Sequence, residues 1–401
     1  MRKKNNSLKI GLVLSLPPGY SETFFRNKIA GLQQHGFEVI LFTNSTTQDA
    51  EHLNCTLVSN YNFSAGVTAK ILIFFKLISK TLFIHFKASY RLFKLEKEDG
   101  LSCKSALKSV MFNAYILGYD LDWLHFGFGM LAHNRENLAS AIGAKMAVSF
   151  RGFDLYLSPL KHPGCYDRLF KKDVKYHVLS NAMAKRLEFK DIPKYKIQVI
   201  PPAVDISLFK KNMKQKMKGG VVRFVTIARL HWIKGLEYTL EALSILSKSG
   251  LNFQYNIIGN GIENEKLLFA AHQLGIKDSV VLLGKMTQDE IRKQFIDCDI
   301  YLQYSLQEGF CNAVLEAQAM GLLCVVSNAE GLAENVLHEK TGWVVPKRQP
   351  KRLAEKIIEV LALSKTESQI VQNTAIQRVK RDFNIKQQNE AFVEFYKSQE
   401  E

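Results

Sequence analysis

Cysteine is scarce and scattered. The six residues, Cys55, Cys103, Cys165, Cys298, Cys311 and Cys324, form no Cys-x-x-Cys pair and have no histidine partners at zinc-ligand spacing. Neither a disulfide framework nor a zinc site is supported, and reduced thiols are expected. Proline is scarce too, at 9 residues against 24 glycines, and no low-complexity tract or fixed-period repeat interrupts the chain. That excludes collagenous and solenoid architectures. No uninterrupted apolar run approaches the roughly 20 residues of a membrane-spanning helix. The apolar stretch 8–16 reads as a buried strand and does not end in a signal-peptide cleavage site.

What is present is an ordinary globular composition, 47% hydrophobic and 23% charged, over 401 residues. That length exceeds one compact core, so two domains, at most three, are expected. The charge is uneven. Fifty-four basic and 38 acidic residues give +16, of which residues 1–210 carry 29 − 16 = +13 and residues 211–401 carry 25 − 22 = +3. A basic half beside a near-neutral half points to a polyanion, a membrane surface or an acidic substrate.

Apolar runs alternate with helical spacing along the first half. Strands are expected at 8–16, 37–43, 122–126, 144–150, 175–179 and 197–200, with a first helix over 21–34. Pro201-Pro202, five lysines between Lys210 and Lys218 and Gly219-Gly220 read as a connector. A second series then begins, with strands at 221–228, 253–258, 280–283, 300–304 and 323–327, and helices near 235–248, 288–296 and 312–320. Buried strands separated by helices predict an α/β protein of two doubly wound parallel sheets. The expected division is 1–205, a linker 206–220, a second domain 221–380 and a final helix 381–401 crossing back to the first domain. Ligands of such sheets sit beyond the carboxyl ends of the strands, so the cleft between the domains is the expected site.

Residues 69–98 interrupt the first domain with an apolar stretch carrying Lys80, Lys87 and Lys94 every seven residues. A basic edge on an apolar helix suits an anionic membrane interface. A core helix with solvated lysines fits the pattern equally well.

The segment from Tyr304 to Ala317 is the most informative. Glu308 stands in a strand-to-helix loop and Glu316 inside the next helix, with Gly309 permitting close approach of backbone to a ligand. The exposed helix start at Phe310, Cys311 and Asn312 attracts an anion such as a diphosphate, and a carboxylate at Glu316 suits a vicinal diol. Two glutamates alone could be solvated acids on a capped surface helix. They are accompanied, however, by Arg229 and Lys234, five apart after the first strand of the second domain, where both can meet one phosphate group.

Taken together, Arg229…Lys234-Gly235, then Gly259-Asn-Gly261, then Glu308-Gly-Phe…Glu316 and Gly321 resemble the retaining nucleotide-sugar glycosyltransferases of family four, with GT-B architecture. The loop from Leu16 to Phe24, with His125-Phe-Gly127 and Arg151-Gly-Phe-Asp154, is similar to the colanic-acid and exopolysaccharide branch, and the matches run from about residue 8 to 345. The resemblance implies catalytic roles for Glu308, His125 and Asp154. It places the donor diphosphate against Arg229, Lys234, Gly19 and the loop Gly309, Phe310, Cys311 and Asn312. Ribose and base would meet Glu316, Gly259, Gly261 and Lys285, and the acceptor Ser21, Glu22 and Arg151. It implies no metal and no cofactor besides the nucleoside-diphosphate sugar donor. The partner would be a glycan or lipid-linked acceptor of a bacterial surface polysaccharide, at the inner face of the cell membrane, with no nucleic acid.

Departures are Cys311 where glycine or proline is common, Arg151 where histidine is frequent, no proline after Gly321, and a Glu330-Gly331 turn in place of two glycines. Asp120-Leu-Asp122 and Asp297-Cys-Asp299 fit a metal-binding Asp-x-Asp pattern but precede strands, at the end opposite the ligands. The glycines after 258 lack the third member of a dinucleotide fingerprint. A nucleotide-sugar epimerase on the same scaffold and a basic polyanion-binding protein are the alternatives.

Overall fold

The computed structural model describes residues 7–19, 23–44, 53–60, 85–209 and 220–398. The chain forms two units, one of Met1–Val178, Ala184–Ile200 and Asn389–Glu401, the other of Leu179–Met183 and Pro201–Gln388. The main part of the second unit begins at Pro201, and the helix Ile385–Lys397 is divided between the units at Gln388/Asn389.

The first unit is a seven-stranded parallel sheet. Its strands are β1 (Lys9–Val13), β2 (Glu38–Thr43), β3 (Thr56–Ser59), β4 (Trp123–Phe126), β5 (Lys145–Ser149), β6 (Val174–Val178) and β7 (Ile197–Val199), in the order β3-β2-β1-β4-β5-β6-β7. Strands covered by helices on both faces are apolar nearly throughout, as β4 with four buried residues shows. One core joins Ile10 and Leu12 of β1, Phe25 and Ile29 of the helix Thr23–Gln34, and Phe392, Phe395 and Tyr396 from the end of the chain. Gly31 allows that close packing, because a Cβ there would lie 2.2 Å from the Asn389 side chain.

Of the basic stretch 69–98, residues 69–84 lie outside the described residues. The rest forms the helix Phe86–Glu98, which buries Ser89, Leu92 and Glu96. Arg168 reaches Glu96 at 2.7 Å and Asp99 at 3.0 Å, and Lys172 reaches Asp99 at 2.7 Å. Burial opposes the charge on Asp99, but hydrogen bonds from Lys172, Asn137 and Arg168 outweigh it and hold the carboxyl near a pKa of about 2. This part is a packed helix whose Lys87, Arg91 and Lys94 remain exposed.

The second unit has strands β8 (Val222–Ile227), β9 (Phe253–Ile258), β10 (Val280–Gly284), β11 (Ile300–Gln303), β12 (Leu323–Ser327) and β13 (Trp343–Val345), all parallel, in the order β10-β9-β8-β11-β12-β13. The chain runs outward from β8 to β10 and then returns to the other side of β8. Such a reversal parts the loops that follow the two central strands and opens a crevice at their carboxyl ends. The loops after β8 and β11 face it. No helix among the described residues is long and apolar enough to cross a membrane.

Candidate active site

The loop after β8 runs through Arg229 into a short turn, Trp232–Lys234, and the helix Leu236–Lys248. Gly235 joins the two with φ +61°, and a Cβ there would sit 2.2 Å from the Tyr304 carbonyl oxygen, so this loop presses directly on the end of β11. The contact brings Lys234 to Glu308, whose carboxylate accepts from the ammonium. Burial works against the charge on Lys234, but Glu308 outweighs it and holds the ammonium above the ordinary lysine value, with Arg229 near enough to oppose. Arg229 itself is exposed. Two cations and one carboxylate thus meet at the switch point of the sheet.

The loop from Glu308 to Asn312 is anchored from behind. The Glu308 carbonyl accepts from Gly331 N at 2.9 Å, and a Cβ on Gly331 would lie 2.0 Å from the Gly309 carbonyl oxygen. The Phe310 ring packs on Phe383 with centroids 5.6 Å apart, and the Cys311 carbonyl accepts from Asn335 Nδ2 at 2.7 Å. With carbonyls and ring committed inward, no described residue accepts from the amides of Phe310, Cys311 or Asn312, which head the helix Asn312–Ala319. That is an anion-ready helix terminus. Burial pushes the Cys311 thiol up to about 12, so it stays protonated at neutral pH.

Glu316 lies one turn into that helix, partly buried and without a hydrogen-bond partner among the described residues. Burial alone raises its carboxyl to about 7. Glu334, by contrast, is fully used: it accepts from the amides of Asn181 at 2.8 Å and Ala182 at 2.7 Å, the start of the helix Asn181–Glu188.

Gly259 and Gly261 serve backbone packing. A Cβ on Gly259 would lie 1.9 Å from the Ala228 carbonyl oxygen, and one on Gly261 2.1 Å from that of Leu230. They fix the height of the Arg229 loop. Lys285 is exposed, one residue beyond β10. Asp122 and Asp299 sit at strand beginnings and accept from the amides of Lys9 at 2.7 Å and Arg223 at 2.8 Å, which commits both to neighbouring strands.

In the first unit His125 is fully buried on β4. His177 Nε2 lies 3.0 Å from the Ile200 carbonyl, which can only accept, so His177 Nδ1 accepts from Ser149 Oγ at 2.7 Å. Ser149 in turn accepts from His125 Nε2 at 2.7 Å, leaving His125 Nδ1 to accept from the Tyr396 hydroxyl at 2.5 Å. Burial, with Lys28 and His177 close by, keeps the His125 ring well below the ordinary histidine pKa and hence neutral. Both nitrogens are spent internally, so the catalytic role expected for His125 is not supported. Asp154 is likewise buried, with Oδ2 accepting from Arg151 N at 2.9 Å and Oδ1 from Met130 N at 3.3 Å. It is a helix-capping carboxylate in this structure rather than a group open to substrate. The Arg151 guanidinium lies 4.0 Å over the Phe24 ring. A Cβ on Gly19 would meet nothing within 4 Å among the described residues, whereas Ser21 and Glu22 lie outside them.

Residues 209–377 match the family described as Glycosyl transferases group 1. WcaL of Escherichia coli (strain K12), by name a colanic acid biosynthesis glycosyltransferase, is 28% identical over 396 residues, covering 94% of this chain and 96% of its own. Residues 209–377 therefore carry a group 1 glycosyltransferase domain. The amylovoran biosynthesis glycosyltransferase AmsK of Erwinia amylovora is 29% identical over 276 residues, 67% of each chain. Among solved structures, a glycosyltransferase from Rickettsia africae ESF-5 superposes with a TM-score of 0.71 at 18% identity, over 98% of both chains. Anabaena HepE in complex with UDP and glucose gives 0.70 at 14% identity, over 96% of this chain and 98% of its own. These likenesses give the glycosyltransferase its GT-B fold.

Sequence reasoning missed the supports of the glycosyltransferase site, namely Gly331, Asn335 and a buried polar row on β11. Only the Glu330-Gly331 turn carried a local signal. The others act through contacts between residues far apart in the chain.

Proposed function

We propose that this glycosyltransferase takes a sugar from a nucleoside diphosphate, with retention at the anomeric carbon and without a metal ion. It passes the sugar to a glycan or lipid-linked acceptor of a bacterial cell-surface polysaccharide. The observation that carries the reading is the Lys234–Glu308 pair beside exposed Arg229, at the carboxyl edge of the second sheet. As the bond between anomeric carbon and phosphate oxygen breaks, charge grows on the diphosphate. Arg229, Lys234 and the amides of Phe310 to Asn312 stabilise it without having to reorganise. Glu316 accepts from the ribose hydroxyls and Glu308 from those of the sugar. The acceptor hydroxyl attacks from the face the diphosphate leaves, and its proton passes to a diphosphate oxygen. No side-chain nucleophile is invoked, consistent with a protonated Cys311 thiol and a neutral, enclosed His125.

The polysaccharide class follows the relatives that are named for colanic acid and amylovoran synthesis. Attachment to an anionic membrane is supported by the helix Phe86–Glu98, where Phe86 and Tyr90 are 56% and 58% exposed beside exposed Lys87 and Arg91. The test is transfer from a panel of sugar nucleotides, with the anomeric configuration of the product read by NMR. Arg229→Ala and Lys234→Ala should each lower turnover at least about 100-fold, as loss of a single preorganised charge-stabilising group does elsewhere. Near-normal transfer in both variants, or an inverted product, refutes the reading.

A further inference from the structure

Three buried polar side chains lie on one face of the central strand β11 and its extension, at alternate positions: Tyr301, Gln303 and Ser305, each 0% exposed. Apolar residues would be cheaper there, since each buried polar group costs free energy unless it is hydrogen-bonded. All three are bonded, to one another and then outward. The Tyr301 hydroxyl donates to Gln303 Oε1 at 2.8 Å, Gln303 Nε2 to Ser305 Oγ at 2.9 Å, and Ser305 Oγ to Glu308 Oε2 at 3.3 Å. That same carboxylate oxygen accepts from Lys234.

The direction of the row is fixed by its end. A carboxylate can only accept, so Ser305 must donate to it. Gln303 must then offer its NH2 to Ser305 and its carbonyl to Tyr301. At the far end the Ile227 amide donates to the Tyr301 hydroxyl at 3.4 Å. Ile227 closes β8, two residues before Arg229. The row therefore spans from the root of one site loop to the acidic group of the other.

We infer that Gln303 is a positioning residue for sugar transfer: acting through Ser305, it sets the Glu308 carboxylate and with it the Lys234 ammonium against the leaving diphosphate. This rests on the donor-binding role proposed for Lys234 and Glu308. An ammonium and carboxylate held from one side only can rotate together, and an error of about 1 Å at such a group costs up to roughly 100-fold in rate. Because the leaving charge is largest in the transition state, the loss should fall mainly on kcat.

Gln303→Met, similar in length but unable to donate or accept, should lower kcat about 10-fold or more while changing the donor KM by less than about threefold. Ser305→Ala should do the same, and Ser305→Thr, which keeps the hydroxyl, should restore most of the rate. The double variant Gln303→Met/Ser305→Ala should be no slower than Ser305→Ala, because Gln303 acts only by orienting the Ser305 hydroxyl that bonds Glu308, and Ser305→Ala already removes that bond. A role confined to packing predicts the opposite: lowered melting temperature, unchanged kcat per folded molecule, and independent effects that multiply. Wild-type kcat in Gln303→Met, or multiplying effects, overturns the inference. Should Gln303→Met fail to fold, Ser305→Ala against Ser305→Thr decides it alone. Lys234→Ala in the same series separates the two levels, since its retained activity would refute the donor site itself rather than the row behind it.

Discussion

Glu316 should make this enzyme less stable as the pH rises, and Glu316→Gln should remove that dependence. Burial raises the carboxyl from 4.5 to about 7 in the folded chain. Between those values the folded state keeps a proton that the unfolded state has lost. Stability is therefore highest below pH 4.5 as far as this group is concerned, and it falls as the pH climbs to about 7. At 1.36 kcal/mol per unit, the shift from 4.5 to about 7 corresponds to about 3 kcal/mol. That is an upper bound, because the side chain retains some contact with water. Urea unfolding of wild type and Glu316→Gln between pH 5 and pH 8 measures it, with the variant gaining relative stability toward pH 8. If ribose hydroxyls donate to the ionised carboxylate, the same substitution weakens nucleoside diphosphate binding by about 10- to 100-fold, the worth of charged hydrogen bonds. Calorimetry should then find wild-type affinity rising more steeply with pH than that of the variant. Parallel stability curves would refute the burial argument, and unchanged nucleotide affinity would refute the ribose role.

Gly261→Ala places a Cβ 2.1 Å from the Leu230 carbonyl oxygen and should destabilise by about 2–4 kcal/mol, seen as a melting temperature lowered by several degrees. An unchanged melting temperature contradicts the packing role. His125→Leu should cost about 2–4 kcal/mol by stranding the Ser149 and Tyr396 hydroxyls, yet leave kcat per folded molecule within a few-fold of wild type. A stable but inactive variant would restore a catalytic role. Lys87→Glu with Arg91→Glu should reduce co-flotation with anionic vesicles, each basic residue near such a surface being worth about 1 kcal/mol, and leave neutral vesicles unaffected. Equal binding of both forms contradicts the membrane reading.

The parallel sheets were legible because buried strands announce themselves as continuous apolar runs. The strands Phe253–Ile258 and Leu323–Ser327 fall where the pattern places them, and most others within one or two residues. The strands Thr56–Ser59 and Trp343–Val345 escaped notice because they are short edges, each paired on one side only. In the second unit the placement of the charged residues in the fold was legible as well, since Arg229, Lys234, Glu308 and Glu316 stand in loops or at a helix start, where local pattern has meaning. His125 shows where that reasoning ends. Its partners are Lys28, 97 residues away, and Tyr396, 271 residues away, and no local spacing distinguishes a histidine that meets a substrate from one enclosed by the core. Gln303 shows the converse, a hydrogen-bonded polar residue inside a strand that reads simply as buried.

The place where the donor diphosphate is held decides the proposed function. A crystal structure of the full chain with a nucleoside diphosphate bound tests it most directly. Phosphate oxygens are expected between the side chains of Arg229 and Lys234 and the amides of Phe310 to Asn312, with the ribose hydroxyls on Glu316. Nucleotide bound at any other edge of the second sheet, or Lys234 still paired only with Glu308 while the ligand sits elsewhere, would contradict it.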